Sequence, residues 1–165
     1  MAQQYLSAEH REELERLAER YPRRRSLALP AIWAVQRTWG RVSREAMEEV
    51  AEVVGITPAE VREIVTFYSM FHEKPVGRYV LAVCGTLSCA VCGGEGLIGY
   101  LEEKLGIKPG ETTEDGLFTL EVVECLGACA WGPAMLVNDR LQVRLTRSKV
   151  DEILAQCKSN GGKHL

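Results

Sequence analysis

Five cysteines lie in two short glycine-containing stretches, and this clustering constrains the chain more than any other feature. Cys84, Cys89 and Cys92 belong to "CGTLSCAVCGG", and Cys125 and Cys129 belong to "ECLGACAWGP". The first residues show neither the apolar core of a signal peptide nor the acid-poor composition of a transit peptide, so we expect a cytoplasmic, bacterial protein. Because cytoplasmic thiols stay reduced, metal ligation explains the cluster better than disulfide bonds.

The first 75 or so residues show the apolar period of α-helices. Four helices are predicted: the first is capped by Ser7, the second covers about 24–39, the third follows Ser43, and the fourth begins at the capping box of Thr57 and Glu60. The apolar faces of these helices are expected to include three aromatic residues, Tyr21, Trp39 and Tyr68. A small helical bundle is therefore expected at residues 1–75.

The pattern changes at "HEKPVGR", which predicts a domain boundary and a second domain at 76–165. Strands are predicted for "RYVLAVC" and "LFTLEVVEC", a helix for "GEGLIGYLEEKLGI", and a hairpin for "AMLVNDRLQVRL" with its turn at Asn138 and Asp139. A last helix, "SKVDEILAQC", would bury Cys157 as an ordinary core residue. The fold class is thus α+β, with a helical bundle followed by a β-α-β-β-α domain.

The cysteines relate to the predicted strands in a regular way. Cys84 and Cys125 each end a predicted strand, and each is followed by a glycine-containing loop with a second cysteine, Cys89 or Cys129. Two strand ends of one sheet bring two such loops together, so four thiolates would converge at one edge. Four cysteine sulfurs are the usual ligands of an iron–sulfur cluster.

Two other ligand sets use the same five cysteines. Cys84, Cys89, Cys92 and Cys125 match the spacing of plant-type [2Fe–2S] ferredoxins, although this set leaves "CLGAC" unexplained and places Cys92 where a helix is expected to start. Cys89, Cys92, Cys125 and Cys129 would make an all-cysteine zinc site and would leave Cys84 without a role. Spacing alone leaves all three arrangements open.

Composition argues against several other classes of protein. The formal net charge is −3 and the pI is about 5.7, whereas nucleic-acid-binding domains are usually basic. No apolar run approaches the ~20 residues that a membrane-spanning helix needs. The chain has no G-x-G-x-x-G fingerprint and no phosphate-binding loop, so we expect it to bind no nucleotide by itself.

The cysteine-rich half resembles a known family. The run from "VCGTLSC" through "KPGETTEDG" to "ECLGACAWGPAMLVND", and upstream "VGITPAEVREIVTFYSMFHEKPVGRY", are similar to the thioredoxin-like [2Fe–2S] subunit of NADH:quinone oxidoreductase, respiratory complex I. This component is called the E subunit in bacteria and the 24-kDa subunit in mitochondria. The resemblance covers nearly the whole chain and rests on these motifs together.

The resemblance implies a site, a fold and a cofactor. It implies that the second domain is a thioredoxin-like ferredoxin domain and that Cys84, Cys89, Cys125 and Cys129 bind one [2Fe–2S] cluster. Cys92 has no ligand role in the family pattern. The chain would then be an electron-transfer subunit of an oxidoreductase, with no catalytic residues of its own beyond the cluster.

The resemblance also implies partners. The cluster would exchange single electrons with the FMN of an NADH-binding subunit, and residues 1–75 would help the chain to dock there, beside other subunits of the peripheral arm. That arm lies on the cytoplasmic face of a bacterial inner membrane, without direct membrane insertion. Alternatives are the equivalent subunit of an NAD-reducing hydrogenase or of an NAD-linked formate dehydrogenase, and a free-standing ferredoxin carrier. The N-terminal helices favour a subunit, because a mobile carrier needs no docking domain.

Overall fold

The computed structural model describes residues 3–159, and the chain divides into two compact units between Pro75 and Val76. Among its described residues the first unit contains four helices and a short 3₁₀ turn at Arg24–Leu27 that precedes the second helix. The helices are α1 (Ala8–Ala18), α2 (Ala28–Trp39), α3 (Arg44–Val54) and α4 (Pro58–Phe67). Their apolar faces enclose a core that includes Leu6, Leu27, Ile32, Val35, Val50 and Val61.

The predicted starts of the first, third and fourth helices are confirmed, whereas the second α-helix begins at Ala28 and not near residue 24, where the chain forms the 3₁₀ turn. The Ser7 hydroxyl accepts a hydrogen bond from a backbone N–H in the first turn of α1, and Ser43 does the same for α3. Thr57 and Glu60 form a reciprocal capping box at the start of α4. These side chains satisfy backbone N–H groups that a helix leaves without internal partners.

The predicted burial of three aromatic residues is wrong. Tyr21 lies beyond the end of α1 and is 44 % exposed. Trp39 is 42 % exposed, and its indole N–H donates to the carbonyl of Tyr5 at 3.0 Å. Tyr68 follows α4 with extended backbone and is also exposed. Each of these residues is the last residue of a helix or lies beyond its end. The helical period that predicted their burial no longer holds there, so their side chains do not face the core.

The second unit has the predicted β-α-β-β-α order together with one unpredicted helix. Its elements are β1 (Tyr79–Cys84), α5 (Leu87–Val91), α6 (Gly94–Leu105), β2 (Phe118–Val123), β3 (Met135–Val137), β4 (Arg140–Gln142) and α7 (Arg147–Ser159). A 3₁₀ turn spans Cys129–Trp131. The sequence pattern did not indicate α5 because five residues are too few to show a helical period.

The four strands form one mixed sheet in the order β2-β1-β3-β4. β1 and β2 are parallel, and their register runs from Tyr79 opposite Phe118 to Cys84 opposite Val123. β3 and β4 are antiparallel and form the predicted hairpin, in which Asn138 has a φ of 53°. The carboxyl ends of β1 and β2 therefore meet at one edge of the sheet.

The core of this unit lies between the sheet and its helices. It includes Tyr79, Leu81, Leu97, Leu101, Phe118, Leu120, Val150 and Leu154. Cys157 also belongs to it, as predicted, and its burial raises the pKa of its thiol. None of the helices within residues 3–159 has the length and apolar character to cross a membrane.

The capping box predicts a measurable contribution to stability. Thr57→Ala removes the hydroxyl that accepts the Glu60 N–H, so we expect a loss of about 1 kcal/mol in the free energy of unfolding. Thr66→Ala in the same helix is the control: the exposed Thr66 hydroxyl bonds the Arg62 carbonyl, an interaction that helps a helix little. Urea unfolding followed by circular dichroism measures both changes, and equal losses would contradict the prediction.

Candidate metal centre

The two cysteine loops leave the sheet side by side. Cys84 is the last residue of β1, and its N–H donates to the Ala134 carbonyl at 3.0 Å. The next residue, Gly85, donates to the Val123 carbonyl at 2.9 Å, which ties the loop after β1 to the end of β2. Cys125 lies two residues beyond that strand end. Parallel pairing of the strands thus brings the first cysteine of each loop to the same edge, as predicted from the sequence.

Cys89 lies in α5 and is only 2 % exposed. The loop after β2 covers it, because a Cβ atom placed on Gly132 would lie 3.4 Å from the Cys89 Sγ. The Ala134 backbone lies close to the same sulfur and acts to lower the pKa of this thiol. The peptide bond between Gly132 and Pro133 is cis. A short helix from one loop and a close backbone approach from the other therefore enclose this thiol.

Four thiols form one interacting group. The Sγ atoms of Cys125 and Cys129 are 3.3 Å apart, and Cys84 and Cys89 are close enough to shift each other's pKa. Cys84 also interacts electrostatically with both Cys125 and Cys129. The structure thus joins Cys84, Cys89, Cys125 and Cys129 as two pairs at one edge of the sheet.

The buried pair has thiols of unequal acidity. Burial would raise the pKa of Cys84, but hydrogen bonds from the hydroxyl and backbone of Thr86 and from Cys89 lower it below its ordinary value. The Cys84 sulfur lies 3.2 Å from the Thr86 hydroxyl oxygen. For Cys89, burial and the bond to Cys84 raise the pKa. Cys84 is therefore the better thiolate of this pair.

The exposed pair shows the same inequality. The backbone N–H of Gly127 donates to the Cys125 sulfur at 3.4 Å and lowers the pKa of that thiol, with help from Cys129. The bond to Cys125 raises the pKa of Cys129, against a hydrogen bond from Ser88. Each loop thus supplies one thiol whose pKa is lowered, Cys84 or Cys125, and the thiolate is the form that binds metal.

Cys92 and Cys157 are not members of these pairs. Cys92 is exposed at the C-terminal end of α5. A Cβ atom placed on Gly132 would lie 3.7 Å from the Cβ atom of Cys92, so Cys92 borders the site. Cys157 is buried in the core with α7.

The donor set fits a binuclear cluster. A [2Fe–2S] cluster takes two protein ligands on each of two irons, and the four thiols stand as two pairs. The Gly127 backbone N–H donates to the Cys125 sulfur, and the backbones of Leu126 and Ala134 act to lower the pKa of Cys84 and Cys89. Backbone N–H groups surround the sulfurs of iron–sulfur clusters in the same way.

Sequence reasoning overlooked two polar neighbours of the thiols. The hydroxyl of Thr86 is hydrogen-bonded to Cys84, and that of Ser88 acts to lower the pKa of Cys129. Both lie in "CGTLSC", between two candidate cysteines, and this position was the signal that they could contact the site.

Comparison with known proteins agrees with this fold. Residues 14–158 match the family model of the thioredoxin-like [2Fe-2S] ferredoxins. The E 2 subunit of NADH-quinone oxidoreductase from Rhizobium meliloti is 46 % identical, over 87 % of this chain and 86 % of the relative. NADH-quinone oxidoreductase subunit 2 of Thermus thermophilus is 44 % identical, over 92 % and 84 %. The E subunit from Escherichia coli is 39 % identical, over 93 % and 92 %.

A solved structure shares the fold. The crystal structure of NAD+-reducing [NiFe]-hydrogenase in the H2-reduced state matches 78 % of this chain with a TM-score of 0.68 and 22 % identity. The match spans only 22 % of that hydrogenase chain, and it speaks for the fold alone.

Fold and thiol site together define an electron-transfer protein of the iron–sulfur class. More particularly, the chain belongs to the thioredoxin-like [2Fe-2S] ferredoxin family, in the branch that includes the E subunit of NADH-quinone oxidoreductase. The thioredoxin-like fold and the [2Fe–2S] cofactor predicted from the sequence are confirmed by this membership.

Substitution of Gly94 tests whether the close packing of its backbone against Cys89 holds this cysteine in position. A Cβ at Gly94 would lie 2.7 Å from the Cys89 carbonyl oxygen, so Gly94→Ala must displace the backbone that carries this thiol. We expect Gly94→Ala to lower the iron and acid-labile sulfide content of the purified chain by about half or more, because a displaced ligand holds a cluster poorly.

The matched control is Gly96→Ala in the same helix, where an added Cβ meets nothing within 4 Å. This variant should keep the wild-type iron and sulfide content. Equal contents in both variants would show that the close approach at Gly94 does not position Cys89.

Proposed function

We propose that this chain is the subunit of an NADH:quinone oxidoreductase that holds one [2Fe–2S] cluster and exchanges single electrons with the FMN of an NADH-oxidising partner. Family membership makes it an electron-transfer subunit of an oxidoreductase complex, with partner subunits. The proposal adds the single cluster, its ligands Cys84, Cys89, Cys125 and Cys129, and the flavin as the electron-exchange partner.

The pairing of two cysteine loops at adjacent parallel strand ends is the observation that carries the proposal. It uses two of the three cysteines of the first loop and both cysteines of the second, and these four thiols are the ones that shift one another's pKa. A zinc site would leave Cys84 without a role, although Cys84 is 1 % exposed and interacts with each of the other three thiols. A plant-type arrangement would need Cys92 and would leave out Cys129, although the Cys129 Sγ lies 3.3 Å from that of Cys125.

The chain's own residues would bind the cluster and control its surroundings. A [2Fe–2S] cluster supplies a one-electron redox couple. Cys84 and Cys89 are buried, so they would hold one side of it away from water, whereas Cys125 and Cys129 are exposed. Backbone N–H groups such as that of Gly127 would stabilise the negative sulfurs and so influence the reduction potential. The exposed pair marks the side from which a partner could exchange electrons.

The remaining parts of the proposal concern location and partners. The sequence has neither of the nucleotide-binding motifs considered above, so FMN and NADH would belong to another subunit. The chain would lie on the peripheral arm of a membrane-bound complex, on the cytoplasmic side. The helical unit, residues 1–75, would serve as a docking domain.

Two cysteine variants test the ligand set. The purified chain should be brown and contain about two irons and two acid-labile sulfides, as one [2Fe–2S] cluster requires. Because serine is a poor substitute for a thiolate, Cys129→Ser should lose most of its iron and sulfide. Cys92→Ser, the matched control, should keep both, together with the EPR line shape of the dithionite-reduced centre.

Other arrangements give other outcomes in the same measurement. A plant-type set predicts the reverse, with metal lost in Cys92→Ser and kept in Cys129→Ser. A zinc site predicts loss of metal in both variants and no sulfide in the wild-type chain, even when it is prepared without oxygen. Either result would overturn the proposed ligands.

Removal of the helical unit tests its proposed docking role. Residues 76–165 have their own sheet and core, so this fragment should keep the iron and sulfide of the full chain. Its affinity for the flavoprotein should fall by about tenfold or more, because part of the interface is lost. Titration calorimetry with both forms measures the difference, and equal affinities would show that residues 1–75 do not dock the partner.

A further inference from the structure

Thr86 stands at the start of α5 without capping this helix. It is the N-cap residue, with a φ of −83° and a ψ of 164°, but its side chain makes no hydrogen bond to the first turn. Thr57 has the same φ and a ψ of 151°, and its hydroxyl does accept the N–H of the third helical residue. A threonine at such a position ordinarily makes this bond, which stabilises the helix. The Thr86 hydroxyl is therefore directed to another partner.

That partner is the sulfur of Cys84, two residues earlier in the chain. The Thr86 Oγ1 lies 3.2 Å from the Cys84 Sγ. Cys84 is 1 % exposed, and Thr86 is half-buried beside it. When both groups are neutral either atom could donate, but a thiolate has no proton and can only accept. Because thiolates are the form that binds metal, the hydroxyl must be the donor once Cys84 is a ligand.

The Thr86 side chain also acts on the second cysteine loop. It lowers the pKa of Cys125 as well as that of Cys84. Cys84 ends β1, and Cys125 follows the end of β2 by two residues. One hydroxyl at this edge of the sheet therefore influences a thiol of each pair.

The backbone is fixed on both sides of Thr86. The Gly85 N–H donates to the Val123 carbonyl at 2.9 Å, and a Cβ atom placed on Gly85 would lie 2.7 Å from the Val122 Cγ1. On the other side, the Thr86 carbonyl accepts the Ala90 N–H at 3.0 Å. The sheet edge and α5 thus hold this residue in place. A donor that is already in position stabilises new charge without first reorganising.

Neutral donors matter at this site because the two cysteine loops carry no charge. Residues 84–94 and 125–138 contain no Asp, Glu, Lys or Arg, and their only hydroxyls are those of Thr86 and Ser88. Hydrogen bonds to the sulfurs are among the factors that set the potential of an iron–sulfur cluster. Ser88 is exposed, whereas Thr86 is bonded to the buried Cys84. Screening by water is weaker there, so the Thr86 bond has the larger electrostatic effect.

We infer that Thr86 is a positioning residue that raises the reduction potential of the cluster by donating a hydrogen bond from its hydroxyl to the Cys84 sulfur. The inference rests on the proposed function, in which Cys84 is a ligand, and deepens it by naming a residue that controls electron uptake. Reduction adds one electron, so the ligand sulfurs become more negative and accept hydrogen bonds more strongly. The donor therefore stabilises the reduced state more than the oxidised one.

The test measures the midpoint potential in variants of the full-length chain. Thr86→Val removes the donor and keeps a β-branched side chain, whereas Thr86→Ser keeps the hydroxyl. Thr113→Val is the matched control, because Thr113 is also half-buried in the second unit. Its hydroxyl binds the Asp115 carboxylate and the Phe118 N–H, at the opposite end of β2 from the cysteine loops.

Redox titration followed by EPR compares the chains after each has been loaded with its cluster. We expect Thr86→Val to keep its iron and sulfide and to lower the ratio of reduced to oxidised cluster at a fixed potential by about threefold to tenfold. Because a tenfold change corresponds to about 59 mV for a one-electron couple, the midpoint should fall by roughly 30 to 60 mV. Thr86→Ser and Thr113→Val should both keep the wild-type midpoint.

Iron and sulfide content reports whether the site is intact, whereas the midpoint reports the hydrogen bond. Should Thr86→Val impair cluster loading, Thr86→Ala decides, because it removes the hydroxyl without adding a methyl group in its place. The same fall in midpoint is expected for this variant.

Other outcomes overturn the inference or the proposal beneath it. An unchanged midpoint in Thr86→Val or Thr86→Ala, with the cluster retained, would show that the hydroxyl does not control the potential, while the proposed function would stand. An equal fall in Thr86→Ser or in Thr113→Val would also overturn the inference, because the shift would then come from a general disturbance. A wild-type chain that brings down no flavoprotein would contradict the proposed function and leave the comparison of midpoints valid.

Discussion

The parallel pairing of β1 with β2 is the interaction on which the rest of the second unit depends. Six residue pairs fix its register, and the last of them sets Cys84 opposite Val123. Since successive residues of a strand face opposite sides, a slip by one residue would turn Cys84 away and move Cys125 along the edge. Parallel strands need a crossover connection, which α6 provides between them. Backbone hydrogen bonds, rather than the cysteines themselves, therefore bring the two loops together.

The site is asymmetric, and this asymmetry connects the fold to the proposed role. Cys84 and Cys89 lie inside the protein, covered by Ala134 and by the close approach of Gly132. Cys125 and Cys129 lie at the surface among uncharged residues. A centre enclosed on every side would be slow to exchange electrons, and one exposed on every side would be hydrated. The chain encloses one half of the site, and in our proposal the partner subunit covers the other.

Sequence reasoning succeeded where a local signal has a direct physical cause. The caps at Ser7, Ser43 and Thr57 satisfy N–H groups at fixed offsets, and the apolar run of β1 is fully consistent with a buried strand. It failed for Tyr21, Trp39 and Tyr68, which lie at or beyond helix ends, where tertiary packing decides burial. It also missed α5 and the hydroxyls of Thr86 and Ser88, because five residues show no period and contacts across loops leave no local pattern. The cluster ligands remain a prediction.

The position of Cys92 follows from how α5 ends. The Cys92 backbone N–H donates to the Ser88 carbonyl at 3.2 Å. This bond holds Cys92 in the last turn of the helix, where the residue is exposed. Gly93 then adopts a φ of 94°, and Gly94 packs its backbone against the Cys89 carbonyl. The backbone thus holds Cys92 at the exposed end of α5, next to the loop that carries Gly132. Both alternative ligand sets need Cys92, whereas the paired set that we propose uses the last residue of β1, the buried cysteine of α5 and the two cysteines of the loop after β2.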